Sequence, residues 1–435
     1  MKQAFSRLLV LCVCLLALAS CARGPGAPLQ GGEIADLRTI PQDLTAFVGR
    51  DGDCPLMDEA ERTANYERWR TRFFAPWDMA KPSIARKDVQ TLLKRKARGY
   101  KGVEPWGEAE WRRMADNGDG ASYPNMAAHG ITVRAANLRE MPTRLPRFTE
   151  PTPDPRANPF DYFQYSSLHQ GTPVFICQRS KDGRWYYVET PLAGGWLEAI
   201  DIMETTPAFE ALYRSLPLAV VTRERAALGE RVKADIGCVL PLSGDHVMLP
   251  CRVSGELRLT PAVPEEGAVQ PMPMLMTKAA VAALGNAMIG QPYGWGGMLG
   301  LRDCSATTRD LMTPFGIWLP RNSGAQGRTG APIDISGLYV DDKERLVLTE
   351  AVPFASLVVM KGHVVLYVGR WRDRAAIVHN LWGIRVQGAP GSDRLVIGRT
   401  VVTSMTPGAE LSTLADGKTI GDRFHTVTIL GNARD

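Results

Sequence analysis

At 435 residues the chain is too long for one ordinary domain, and with 45% hydrophobic and 22% charged residues its composition is that of a globular protein. The net charge of +5 comes without a long run of Lys or Arg, which excludes a nucleic-acid footprint. The 42 glycines and 31 prolines indicate many turns and short strands.

Residues 1–21 read as targeting sequence. Lys2 and Arg7 give a positive start, and the apolar run Leu8–Ala19 is too short to span a bilayer. It ends in Leu18-Ala19-Ser20-Cys21, which resembles a bacterial lipobox. There the cysteine is lipidated and becomes the mature first residue; plain signal-peptidase cleavage is the alternative. Residues 22–32 form a Gly/Pro-rich tether.

Residues 33–125 are mostly helical, with helices expected over 58–74, 88–97 and 107–115. From 126 the pattern becomes short strands and turns. Strands are expected over 131–134, 173–177, 185–189 and 195–198, with Lys181-Asp182-Gly183 as a hairpin turn. The style repeats at 218–222, 234–240, 246–253 and 257–260. Residues 126–204 and 205–273 are therefore two small all-β units of SH3-like size. Residues 274–435 read as an α+β unit. Thr277 caps its first helix, which stops at Gly290-Gln291-Pro292.

Once Cys12, Cys14 and Cys21 are set aside, the cysteines are Cys54, Cys177, Cys238, Cys251 and Cys304. Cys238 and Cys251 could face each other across a hairpin. No Cys-x-x-Cys or His-x-x-x-His spacing supports a metal site, so neither metal nor cofactor is expected.

Cys304 stands out by its neighbours. Gln291-Pro292-Tyr293-Gly294-Trp295-Gly296-Gly297 precedes it, and Ser305–Leu311 reads as a helix with Cys304 at its start. Free N–H groups and the helix dipole there favour thiolate, the nucleophilic form; a buried structural cysteine is the plain alternative. A thiol nucleophile needs a base and an orienting partner. His363 begins the strand-like run to Gly369, and His379 lies on the next strand, 375–381. Adjacent antiparallel strands could set His379 behind His363 as a third member, with His425 in reserve. For Asp303 a helix cap and a counter-charge for a substrate ammonium both stand open.

These residues carry a resemblance. Pro292–Gly297, Asp303-Cys304-Ser305-Ala306, Arg321-Asn322-Ser323, Gly362-His363-Val364 and His379 resemble the NlpC family of cell-wall cysteine peptidases, a circularly permuted papain-like fold. Residues 137–143 and 170–185 resemble the first SH3-like module of one branch of that family. The resemblance implies a γ-D-glutamyl-L-diamino acid endopeptidase acting on peptidoglycan stem peptides. It places Asp303, Ser305 and Ser323 at the pocket for an N-terminal L-Ala, Trp295 as a wall, and Tyr293 near the thiolate or oxyanion. For Trp295 and Ser323, core packing and a turn hydroxyl are the plain readings. Ala306 departs from the family's usual Gly, and Gly362 from a charged residue. The expected partners are stem peptides and, through Cys21, a membrane, in a periplasmic setting; nucleic acid is not expected. A cell-wall binding lipoprotein with a dead catalytic unit, and a thiol amidase or acyltransferase on the same fold, are the rival readings.

Overall fold

The computed structural model describes residues 33–154, 157–387 and 394–431; Cys21, the leader and the tether lie outside the described residues. The first helices form where the caps and stripes require. Asp58 accepts from the Glu61 N–H and starts Glu59–Phe74. Arg86–Lys94 and Glu108–Gly118 follow.

These helices bury their faces in three separate places. Val89, Leu93, Trp111 and Met114 pack against Phe163, Phe175, Trp185 and Trp196 of the first all-β unit. Trp69, Phe73, Phe74 and Trp77 join Ile131, Tyr213 and Leu218, so one aromatic cluster holds both all-β units. Ile40, Leu44, Phe47 and Met57 enter the core of the last unit. Each large apolar side chain removed from water this way contributes about 1.5–3 kcal/mol. The helical segment therefore fastens the other three units to one another.

The first all-β unit is a seven-stranded antiparallel sheet in the order 164–168, 136–139, 194–198, 185–189, 173–179, 128–132, 202–204. Helix Pro207–Ser215, capped by Thr206 and absent from the sequence reading, leads to the second unit. That unit has a five-stranded sheet in the order 256–262, 246–253, 239–243, 218–221, 269–271, and a separate two-stranded ribbon. The single strand expected over 234–240 is divided into Val232–Ala234 and Val239–Ser243. Gly237 between them sits at φ +90°, outside any strand conformation. Cys238 and Cys251 are both free thiols, and each touches Gln170.

In the last unit, helices Lys278–Met288 and Cys304–Met312 precede a six-stranded antiparallel sheet. Its order is 331–334, 426–429, 356–360, 363–371, 374–385, 394–404. Cys304, Leu311 and Met312 share one core with Val364, Leu366, Val378 and Val402. The helix carrying Cys304 thus packs onto the strands carrying His363 and His379.

Candidate active site

Cys304 is the first residue of its helix, and Asp303 is the N-cap, accepting from the Ala306 N–H at 2.9 Å. The thiol is buried. Burial, and then the neighbouring Asp303 charge, push it up to about 12, against the pull of the Val364 and Ser305 N–H groups and Arg321. Burial thus works against the expected thiolate, because desolvation here outweighs the pull of the helix terminus.

His363 and His379 are both buried, with His363 Nε2 at 2.9 Å from His379 Nδ1. His379 Nε2 lies 3.1 Å from Thr403 Oγ1, whose hydroxyl donates to the Ser404 carbonyl at 2.8 Å. That hydroxyl has one hydrogen, so it accepts from His379 Nε2–H. His379 Nδ1 is then the acceptor for His363 Nε2–H, and His363 Nδ1 is left with a free lone pair. The chain Thr403–His379–His363 thus fixes the tautomer a base needs. The reserve, His425, bonds Thr426 Oγ1 instead and has no part in this chain.

Burial drives His363 down to about 4, with Asp303 opposing and Arg394 adding to the fall. Burial, and then His363, hold His379 well below the usual histidine range. Both rings are neutral in the folded protein near pH 7. Because the folded chain binds fewer protons here than the unfolded one, stability falls as pH drops from 6.5 towards 4. The His363 contribution is roughly 3 kcal/mol over that window. Urea unfolding at pH 7 and at pH 4.5 checks this: the wild type loses more stability on acidification than His363→Gln. Equal losses contradict the buried neutral base.

The carboxylate of Asp303 is fully engaged. Arg321 donates to it through Nη2 at 2.6 Å and Nη1 at 3.1 Å, and the Gly296 N–H adds a bond at 3.0 Å. Burial raises this carboxyl, but Arg321 and the N–H donors together hold it below the usual range. Of the two readings left open for Asp303, the helix cap is present, and the carboxylate is in addition the ion-pair partner of Arg321. Ser305 Oγ lies between the two, donating to Asp303 and accepting from Arg321 Nη1 at 2.7 Å. Ser323 opens a short helix capped by Asn322, and among the described residues no hydrogen bond ties its hydroxyl to Asp303 or Ser305. Burial, and then the Cys304 and Asp303 charges, push the Tyr293 hydroxyl well above the usual tyrosine range.

The first all-β unit completes the site. Phe160 and Tyr162 pack on Trp295 with centroids 5.3 and 5.8 Å apart, and Trp382 stands against Tyr293 and Phe160. Gln164 donates to the Gly296 carbonyl, and Arg321 donates to Ser166 Oγ at 3.0 Å. The glycine pair now has a cause. Both residues have positive φ, and a Cβ would meet Gln164 O at 2.5 Å from Gly296 and Ser167 N at 2.7 Å from Gly297. Only glycine lets the two backbones approach this closely. Of these groups the sequence reading missed Arg321, Gln164, Ser166, Phe160, Tyr162, Trp382 and Thr403. Arg321 alone left a signal, as part of the Arg-Asn-Ser motif. Among the described residues no group of three or more His, Cys, Asp or Glu could hold a metal.

The same stretches match known families. Residues 9–123 match the NLPC_P60 stabilising domain, 146–198 the SH3 domain of SH3b1 type, and 290–391 the NlpC/P60 family. Residues 290–391 form an NlpC/P60 family domain. A solved NlpC/P60 endopeptidase from Photobacterium damselae subsp. piscicida has a TM-score of 0.77 at 22% identity, covering 91% of this chain and 99% of that one. That likeness is one of fold. An NlpC/P60 family protein from Bacillus cereus ATCC 10987 superimposes with a TM-score of 0.48 at 19% identity, covering 70% of this chain and 100% of that one. Gamma-D-glutamyl-L-lysine dipeptidyl-peptidase of Bacillus cereus is 36% identical over 89 residues, 20% of this chain. The match spans only 24% of that relative's length. The NlpC/P60 match at 290–391 contains Tyr293, Trp295, Asp303, Cys304, Ser305, Arg321, Ser323, His363 and His379.

Proposed function

We propose that this NlpC/P60 protein is a cell-wall cysteine endopeptidase that hydrolyses the γ-D-Glu–diamino acid bond of peptidoglycan stem peptides with a free N-terminal L-Ala. The observation that carries the reading is the buried Thr403–His379–His363 chain packed against the Cys304 helix. An intact relay of this kind has no use in a pure binding module. In the reaction His363 Nδ1 takes the thiol proton as sulfur attacks the γ-carbonyl carbon. The tetrahedral intermediate collapses to a thioester, and His363-H⁺ gives its proton to the departing amine. Water, deprotonated by the same ring, then attacks the thioester and restores the thiol.

The bond choice is supported by the partial likeness to a γ-D-glutamyl peptidase and by the walls of the site. Phe160, Tyr162, Gln164 and Ser166 close in on Trp295, Gly296 and Arg321 from the first all-β unit. On this reading these walls close the space beyond the alanine, so that a glycan-linked stem does not fit. An ammonium there faces the Asp303–Arg321 pair and aromatic rings that attract a cation. Acetylating the amine of L-Ala-γ-D-Glu-diaminopimelate is expected to slow cleavage by at least roughly 10²-fold, since it leaves buried polar groups unmatched. Equal rates for the two peptides refute amine recognition and leave Asp303 as cap and ion-pair partner alone.

We further propose that the chain is exported and held at a membrane by a lipid on Cys21, as the Leu18–Cys21 sequence suggests. In detergent phase partitioning the wild type is expected in the detergent phase and Cys21→Ser in the aqueous phase. Both in the aqueous phase contradicts the anchor.

A further inference from the structure

Arg302 lies two residues before the nucleophile, and its guanidinium is buried. Every edge of it is answered. Nε donates to Asp310 Oδ2 at 2.7 Å, and Nη1 lies 2.9 Å from Glu224 Oε1 and 3.3 Å from Gln291 Oε1. Nη2 donates to the Ile236 carbonyl at 2.9 Å. Its own carbonyl accepts from the Gly294 N–H at 2.8 Å and from Asn380 Nδ2 at 2.9 Å, the residue after His379. One residue therefore joins the glycine loop, the nucleophile helix, the His379 strand and the second all-β unit.

The second unit is pressed close. A Cβ on Gly237 would lie 3.0 Å from the Asp310 Cα, so its backbone rests directly on the Cys304 helix. Asp310 is also held by Arg309, through Nε at 2.8 Å and Nη2 at 2.7 Å, and lies 3.8 Å from His169 of the first unit. Two carboxylates, Glu224 and Asp310, thus lie in ion-pair contact with two buried guanidiniums, Arg302 and Arg309, with Asp235 near Glu224. Removing one leaves an uncompensated buried charge, which is resolved by local movement. What would move is the Arg302-Asp303-Cys304 turn.

We infer that Glu224 is a positioning residue: from the second all-β unit it clamps Arg302 and so fixes the turn that aims Cys304. The second unit is then a working part of the catalytic apparatus. This rests on the reading of Cys304 as the nucleophile.

The test is Glu224→Gln in the full chain, with Val247→Ala as control. Val247 is buried in the same unit, away from Arg302, and its truncation lowers Tm without touching the clamp. A reacting group displaced by about 1 Å can cost on the order of 10²-fold in rate, so Glu224→Gln is expected to lower kcat by about 10- to 100-fold. KM stays within about threefold, because substrate contacts are untouched. Alkylation of Cys304 by iodoacetamide, followed by peptide mass spectrometry, becomes faster as the turn loosens. Glu224→Asp recovers part of both, and Val247→Ala changes neither. The inference is overturned if Glu224→Gln keeps wild-type kcat and alkylation rate, or changes them no more than Val247→Ala. If Glu224→Gln does not fold, Glu224→Asp carries the same comparison, its carboxylate being retracted from Arg302: an intermediate kcat supports the clamp, and wild-type values overturn it. The alkylation arm needs no substrate. If the wild type cleaves no stem peptide, the substrate reading fails while alkylation still decides the clamp.

Discussion

Cys304→Ala is expected to abolish hydrolysis, by at least on the order of 10⁴-fold, because no other group can form the thioester. Cys54, Cys177, Cys238 and Cys251 are the other described thiols, and none lies at the start of a helix facing a histidine strand. Alanine at this buried helix start removes one sulfur atom and leaves the Asp303 cap in place. The fold should therefore survive, with a stability change of about 1 kcal/mol. Peptide release followed by chromatography, together with circular dichroism, checks both halves. A folded variant that still turns over contradicts the mechanism.

His363→Ala is expected to cost about 10²–10⁴-fold in kcat, the range for loss of a general base. His379→Ala should cost less, since an orienter improves a proton transfer that the base performs. The hydrogen bonds refine this. His379 Nδ1 accepts from His363 Nε2–H, so an apolar replacement leaves a buried donor unmet at a cost of about 1–3 kcal/mol. His379→Asn supplies an amide oxygen and is expected to retain more activity than His379→Leu. Steady-state kinetics of the four variants decides it. If His379→Ala is more damaging than His363→Ala, the roles are reversed.

The grouping of Cys304 with His363 and His379 was legible because a thiol mechanism constrains residue types. A thiol beside a helix start, after a glycine-rich loop, and two histidines on neighbouring strands leave few arrangements open. Several helices and about half of the strands followed from caps and periodicity, as with Glu59–Phe74 and with Thr277 before Lys278–Met288, while Pro207–Ser215 and Val340–Glu350 did not. What was missed comes from docking between distant parts of the chain. Phe160, Tyr162 and Gln164 reach a loop some 130 residues later, and Ser166 reaches Arg321 155 residues on; nothing local marks them as site residues. Gly296 and Gly297 were visible as glycines, but their cause lies in Gln164 and Ser167. Thr403 is one of several threonines on its strand, and only the fold sets it behind His379. The thiolate expectation weighed a helix start without the burial around it, which pushes the thiol the other way. The ion pair of Asp303 with Arg321, 18 residues on, went unread because nothing local shows the chain folding back to it.

The most direct measurement is mass spectrometry of the products from L-Ala-γ-D-Glu-diaminopimelate-D-Ala incubated with the protein. The account predicts L-Ala-γ-D-Glu and diaminopimelate-D-Ala, with no product from Cys304→Ala. Cleavage at another bond, or an unchanged tetrapeptide with folded wild-type protein, would contradict it.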